Sequence, residues 1–421
     1  MTAGLNKTGE ITLPRIVKAL FGIYFIFLML FDANANYLVF SRLGFIAFAG
    51  ISVLYIFSLK YIYDFSFAAR LLLVIAVFTL CSIFGRNFDN SLKQIITLSQ
   101  IWLLCVFMYY GLRDSIDMDY ISKLFACAGI CLFIWTMYIY GIGNFFSMLL
   151  SGSVRLGAEV SQENILGMSA AIIASVCIYN VITFKKYLYL IPIVLMVVIV
   201  AASGSRKAIL VLPVAFIGTL FLNNGFKKLW KTLLFIVIAV PVVIYILSLP
   251  AFAMINSRLE GLFDFLNNQG GDMSAEMRGL MTEYGIKWFF QKPILGHGLD
   301  CYKYLAYNVF GSYSYAHNNY IELLVDTGII GTAFYYSIYI YLLRRLAVIF
   351  KKSRDRFAGL CIIILAVMLI QDIGAVSYLS KTTYVYLGIC YICIFRYGKR
   401  VSEGKEEPKT DGQSFSVKES I

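Results

Sequence analysis

Charge is scarce in this chain and histidine is almost absent. Only 14% of the 421 residues are Asp, Glu, Lys or Arg, and the two histidines are His297 and His317. A soluble domain carries about 25% charged residues, so an ordinary soluble fold is excluded. Period-two alternation of apolar and polar residues is missing, which excludes a membrane β-barrel. The nine cysteines show neither metal-ligand spacing nor a disulfide framework, and all but Cys301 lie in apolar runs. Gly-Pro-rich linkers and internal repeats are not evident. No cleavable signal is apparent either: residues 1–15 are polar, and the first apolar run leads into Asp32–Asn36, which reads as a span followed by a tight turn.

What remains is apolar sequence. Hydrophobic residues make up 60% of the chain, in runs that approach the ~20 residues needed to cross a bilayer as a helix. The expected fold class is all-α: a polytopic membrane bundle of about 12 transmembrane helices. The runs fall at 16–31, 37–58, 66–84, 92–111, 120–141, 162–183, 187–202, 206–222, 229–249, 319–343, 357–377 and 382–396. The short seventh and eighth runs predict a tight hairpin about Ser203-Gly204-Ser205. The layout is therefore an N-terminus (1–15), transmembrane helices 1–9 (16–249), a large loop (250–318), transmembrane helices 10–12 (319–397) and a polar, disordered tail (398–421). Within the loop, Asp272 or Ser274 is a candidate cap for a helix running toward Pro293. In a smaller loop, Phe145–Leu150 is suited to the membrane interface.

Orientation follows from the basic residues. Lys60, Arg113, Lys185, Lys186, Lys227, Lys228, Arg344, Arg345, Lys351 and Arg354 fall in alternate loops, and the positive-inside rule places these and both termini in the cytoplasm. The net charge of +12 fits a bacterial inner-membrane protein. The basic residues are scattered over loops, so no nucleic acid is expected as a partner.

Some cations then sit on the wrong side: Arg86, Arg155, Arg206, Lys207, Arg258 and Arg278. Arg206 and Lys207 are the sharpest case, because they follow a very short turn and open an apolar helix. Amides at a helix start favour an anion, and arginine suits bidentate contact with phosphate oxygens. A cationic external pocket for a phosphate-bearing lipid is the functional reading; headgroup anchoring by each arginine is the plain one. Glu322 and Asp326, one turn apart in the tenth span, and Asp372 near the eleventh are ionisable groups that should face the bundle interior. They would orient the arginines or a sugar acceptor. His317 begins the tenth span at the membrane surface. His297 lies between two glycines in a turn whose geometry the glycines carry.

Three stretches together carry a resemblance: Pro293-Ile-Leu-Gly-His-Gly298, His317-Asn-x-Tyr320 and Leu324-x-x-x-Gly328-Ile-Ile-Gly331. They are similar to the signature of the O-antigen ligase and O-antigen polymerase superfamily (WaaL and Wzy proteins). Ser203-Gly-Ser205-Arg206-Lys207 resembles that family's external Ser-Arg turn, and Arg278 its loop-helix cation. Arg155-Leu-Gly157 with Asn164-x-x-Gly167 resembles a weaker element. The similarity covers roughly 155–331. It implies a GT-C-like membrane glycosyltransferase whose donor is a glycan on polyprenyl (undecaprenyl) pyrophosphate, acting with inversion and without metal or other cofactor. Ligases of this family use lipid A core as acceptor, and polymerases use another lipid-linked repeat unit.

On that reading the catalytic residues are His317, Arg206 and Arg278. Substrate-binding residues are Lys207, Arg155, Asn318, Tyr320, Asp326 and His297, and there is no metal ligand. Partners are the lipid-linked glycan, membrane lipid and a chain-length regulator. A surface-polysaccharide polymerase (O-antigen, capsule or exopolysaccharide) is favoured because such genes are numerous in polysaccharide loci, which is an argument from analogy. A ligase, or a lipid-linked oligosaccharide flippase, are the alternatives. Against a transporter, no repeated halves are visible.

Overall fold

Backbone amides and carbonyls in a bilayer must bond within the protein, so apolar runs of this length fold as helices. The computed structural model describes residues 12–59, 64–151, 155–225 and 273–404. Among these there are fourteen α-helices and no strand. They are α1 (Leu13–Phe31), α2 (Leu38–Ser58), α3 (Ser66–Ile83), α4 (Phe88–Leu112), α5 (Met118–Tyr140), α6 (Ile142–Ser151), α7 (Glu163–Phe184), α8 (Leu190–Ser203), α9 (Arg206–Asn224), α10 (Met273–Gln291), α11 (Tyr302–Phe310), α12 (Asn319–Ser353), α13 (Arg356–Gln371) and α14 (Lys381–Ser402).

Eight of them, α1 to α5, α7, α9 and α12, are long and apolar enough to cross a membrane. α8 with its preceding 3₁₀ turn, and α13, are shorter apolar helices. Each expected span coincides with a helix except the ninth, 229–249, which lies outside the described residues, as do Asp272, Arg258 and the tail from 405. The protein is a multi-pass, all-α membrane protein. α13 stops at Gln371, so the eleventh span is shorter than its apolar run.

Polar caps fix several helix starts. The side chains of Asn87, Asp117 and Asp355 accept from the amides of Asn90, Tyr120 and Ala358, satisfying donors that a helix N-terminus leaves open. α7 is the central helix, with 72% of its apolar window buried. Ala170, Ala171, Ala174 and Ser175 let α8 and α9 pack closely against it, as small residues do in membrane bundles. α2 and α9 are peripheral, each 22% buried.

The two ends of the bundle differ. At one end Lys18 Nζ donates to Ser115 O (3.0 Å), Lys399 meets Asp114 (2.5 Å), Lys186 meets Asp119 (2.8 Å) and Arg400 pairs with Asp355. The start of α1 and the end of α14 are both here. At the other end Lys381 meets Asp32 (2.6 Å) and Asn34 Nδ2 donates to Glu159 O (2.7 Å). The α8–α9 turn and the start of α12 lie at this second end, near the α13–α14 connection.

α12 is interrupted at Gly328 (φ 61, ψ −167). An interruption in a spanning helix exposes backbone groups that need partners, and Pro293–Gly298 supplies them. His297 N donates to Val325 O (2.9 Å) and Gly298 N to Asp326 O (2.8 Å), while Ile329 N donates to Pro293 O (2.9 Å). Cys81 Sγ covers Thr327 O (3.4 Å). The contact is so close that a Cβ on Gly296 would come within 2.5 Å of Asp326 O, and one on Gly328 would overlap Ile294 O. Three glycines of the family-like motifs are thus two halves of one backbone junction.

Candidate active site

The α8–α9 turn is built to be tight. Gly204 takes φ 58 at the end of α8, a left-handed conformation that suits glycine, and Ser205 precedes the first residue of α9. The turn presses on α7 at Gly167, where a Cβ would come within 2.8 Å of Ser205 Cβ. Arg155 braces it: Nε donates to Ser203 O (2.9 Å) and a terminal nitrogen to Asn164 Oδ1 (3.1 Å). The element Arg155…Asn164…Gly167 therefore positions the turn. Ser205 Oγ is buried and has no hydrogen-bond partner among the described residues. It sits at the positive end of α9, beside Arg206 and Lys207.

The start of α12 is pinned from several sides. Asn318 caps it, accepting from the amides of Tyr320 (3.0 Å) and Ile321 (3.2 Å). Buried Asn319 accepts from Ser377 N (2.8 Å) and Tyr378 N (3.1 Å), and its own amide donates to Asp372 O (2.8 Å). Tyr320 donates to Leu369 O (2.9 Å) and stacks on Tyr336. One turn on, Glu322 Oε2 reaches back to accept from Ala316 N (2.7 Å). Between these fixed points His317 is held at φ 51, a conformation uncommon for a residue with a Cβ. Its ring lies on that of Tyr315, centroids 4.0 Å apart.

Around this ring the cations gather. Burial, and then the charges of Arg278 and Lys207, push the His317 pKa down to about 4. The charges of Arg278 and Arg206 also act on Lys207, and that of Arg278 on Tyr315. α9, α10 and the approach to α12 thus bring Arg206, Lys207, Arg278 and His317 together, all of them only partly buried. Lys207 Nζ also donates to Gly374 O, lying where a Cβ on Gly374 would be. The arrangement is a set of like charges with an imidazole among them.

The other residues singled out from the sequence have different surroundings. Arg155, Asn318 and Tyr320 hold the backbone that carries the cluster, as described above. Asp326 is fully buried, and its oxygens accept from Asp300 N (3.0 Å), Tyr302 N (2.8 Å) and Tyr378 Oη (2.9 Å). His297 is also fully buried. Its Nε2 donates to Trp288 O (2.9 Å), and its carbonyl accepts from Arg86 N (2.7 Å). Burial lowers its pKa, the hydrogen bond to Trp288 O opposes that, and the charges of Arg86 and Lys292 lower it further. His297 and Asp326 belong to the Gly328 junction.

Sequence reasoning passed over Tyr315, Ser205 and Glu163. Glu163 opens α7, and its charge acts on Tyr315. The available signals were the place of Tyr315 two residues before His317, and that of Ser205 in the Ser-Gly-Ser turn. Among the described residues no three His, Cys, Asp or Glu side chains converge as a metal cage.

A family model described as O-antigen ligase (Wzy_C) matches residues 191–336. That is about a third of the chain, running from α8 into α12 and including Arg206, Lys207, Arg278 and both histidines. The match supports the resemblance to the O-antigen ligase and polymerase superfamily of glycosyltransferase-like membrane enzymes of surface-polysaccharide synthesis. No curated protein matches the chain.

Proposed function

We propose that this protein is a surface-polysaccharide polymerase of the bacterial inner membrane. It transfers a glycan from a polyprenyl-pyrophosphate carrier to the terminal sugar hydroxyl of another lipid-linked repeat unit. The observation that carries this reading is the convergence of Arg206, Lys207 and Arg278 on His317. A leaving pyrophosphate gains negative charge as its bond to the anomeric carbon breaks, and preorganised cations stabilise that charge. The acceptor oxygen attacks the opposite face of that carbon, which inverts it, and His317 accepts the hydroxyl proton. The first turn of α9 and the buried Ser205 hydroxyl add neutral donors for the phosphate oxygens. Arginine and lysine take the role that a divalent ion has in many pyrophosphate-releasing sites.

The orientation in this reading puts the cluster on the external face of the inner membrane. Arg113, Lys185, Lys186, Arg354, Arg356, Lys399 and Arg400 gather at the opposite end, which positive-inside bias makes cytoplasmic. Both termini are then cytoplasmic. A membrane-impermeant maleimide should label Asn308→Cys, an exposed residue of α11, in cells whose inner membrane is intact. Labelling only after permeabilisation would reverse the orientation.

The description of the matched family favours a second reading, an O-antigen ligase with lipid A core as acceptor. One assay separates the two. Purified protein in nanodiscs receives a polyprenyl-pyrophosphate-linked repeat unit, with or without lipid A core. A ladder of longer lipid-linked glycans without lipid A core is the expected result. Glycan appearing only on lipid A core makes the protein a ligase. Repeat units moved across the bilayer with no new glycosidic bond would make it a transporter.

A further inference from the structure

Beside the cation cluster is a cleft of different chemistry. It has a volume of about 200 Å³ and lies between α7, the end of α13, the 372–380 connection and the start of α14. Its polar lining includes Ser169, Gln371, Ser380, Thr382 and Thr383, and Met168, Ile172 and Met368 form apolar walls. No lysine or arginine lines it. Its one carboxyl, Asp372, is already engaged by Ser377 Oγ (2.5 Å), Tyr336 Oη (3.0 Å) and Asn319 Nδ2 (3.4 Å). Gln371 Nε2 is held by Met168 O (2.9 Å), and Ser380 and Thr382 bond each other (2.6 Å). The hydroxyls of Ser169 and Thr383 line the cleft and are not taken up by hydrogen bonds to the described residues. Both hydroxyls open into the cleft, where they can donate to or accept from a bound ligand.

The cleft and the cation cluster are joined by one segment. The 372–380 connection that closes this cleft also carries Gly374, whose carbonyl accepts from Lys207. Asn319, two residues after His317, bonds Ser377 N and Tyr378 N in the same connection. A ligand lying along that segment therefore reaches from neutral hydroxyl donors to the cations and His317.

We propose that this cleft is the subsite for a neutral sugar ring of the acceptor glycan, and that it delivers the attacking hydroxyl toward His317. The inference rests on the transferase reading above. Neutral hydroxyl and amide donors beside apolar faces match a sugar, which presents hydroxyls around its edge and C–H groups on its faces. An anionic headgroup would find no cation within the cleft.

The probe is the soluble oligosaccharide repeat released by mild acid from the cell's own surface polysaccharide. Its binding to purified full-length protein in nanodiscs is read by saturation-transfer NMR, which needs no turnover. Ser169→Ala and Thr383→Val remove one hydroxyl each at nearly constant shape. The double variant should weaken oligosaccharide binding at least ~10-fold, the loss of about 1.4 kcal/mol. It should also raise the acceptor concentration needed for half-maximal transfer, with the donor requirement changed less than ~2-fold, within the spread expected of one weak contact. Equal binding by wild type and double variant would overturn the subsite, and so would a wild type that transfers glycan but does not bind the oligosaccharide. Binding lost in the double variant, with no transfer by wild type from any lipid-linked donor, would keep the sugar site and remove the transferase reading. Thr383→Ser restores the hydroxyl and should recover binding; failure to recover would assign the effect to packing and overturn the proposal.

Discussion

The two histidines lie in neighbouring loops of one region and have opposite surroundings. His297 is fully buried between glycines, with one ring nitrogen bonded to Trp288 O and the other without a partner among the described residues. Its backbone, more than its ring, does the structural work, closing the interruption of α12. His317 is partly buried, strained at φ 51, tilted against Tyr315 and placed among the charges of Arg278 and Lys207. A motif histidine is thus no guide to chemistry by itself. What separates the pair is which other segments arrive beside each ring: the Trp288 carbonyl, glycine backbone and the charges of Arg86 and Lys292 for His297, and the charges of Arg278 and Lys207 with the Tyr315 ring for His317.

The largest expected effect sharpens this contrast. A positioned base contributes about 10²–10⁴-fold, so His317→Ala should lower transfer by that order at equal expression, leaving lipid-linked donor to accumulate. A full polysaccharide ladder from cells carrying only His317→Ala would remove it from the chemistry. The same ring predicts the pH profile. Its pKa is held down, to about 4, so the neutral, proton-accepting form persists well below neutrality, and activity is lost only as pH falls toward that value. In the free-enzyme profile, kcat/KM, an acid limb near the ordinary histidine value of about 6.5 would show that burial and the neighbouring charges do not act on the ring as described.

Next come the cations. Lysine keeps the charge but loses the planar fork, so Arg206→Lys and Arg278→Lys should each cut transfer at least ~10-fold, about 1.4 kcal/mol of barrier. Unchanged transfer in both would take the arginines out of the site. His297→Ala is expected to do less to transfer and more to folding. It removes a buried ring and leaves Trp288 O without its donor, and detergent-solubilised protein should lose thermal stability while transfer per folded molecule falls by less than the ~10-fold set for the arginines. A larger catalytic loss than that of His317→Ala would invert the comparison. The smallest effect is expected from EDTA: where arginines neutralise the pyrophosphate, chelation leaves the rate unchanged, and rescue of a lost rate by Mg²⁺ or Mn²⁺ would contradict that.

Much of this was legible before any coordinates. Lys207 and Arg206 stood out because membrane biogenesis disfavours basic residues in a short external turn, and the turn does face Arg278 and His317. Gly328, by contrast, reads in sequence like any small residue in a span; only the Pro293–Gly298 loop lying against it shows that it breaks the helix. Asp326 reads as a free ionisable group, yet its oxygens are taken by Asp300 N, Tyr302 N and Tyr378 Oη. The eleventh apolar run extends past Gln371, but Asn319 draws residues 377 and 378 onto the start of α12. The backbone then leaves the helix to cover Lys207.

By itself the sequence determined that this is a helical membrane protein and which residues break the expected pattern of charge. These are local properties, because a bilayer makes each apolar run satisfy its own backbone. Tertiary structure alone decided which exceptions meet. Arg278 reaches Lys207 across more than seventy residues. Gly374 gives Lys207 its place, and the hydroxyls of Ser169 and Thr383 share one cleft only because α7 and α14 pack side by side there. Such contacts depend on helix packing and close backbone approach, which no window of sequence contains.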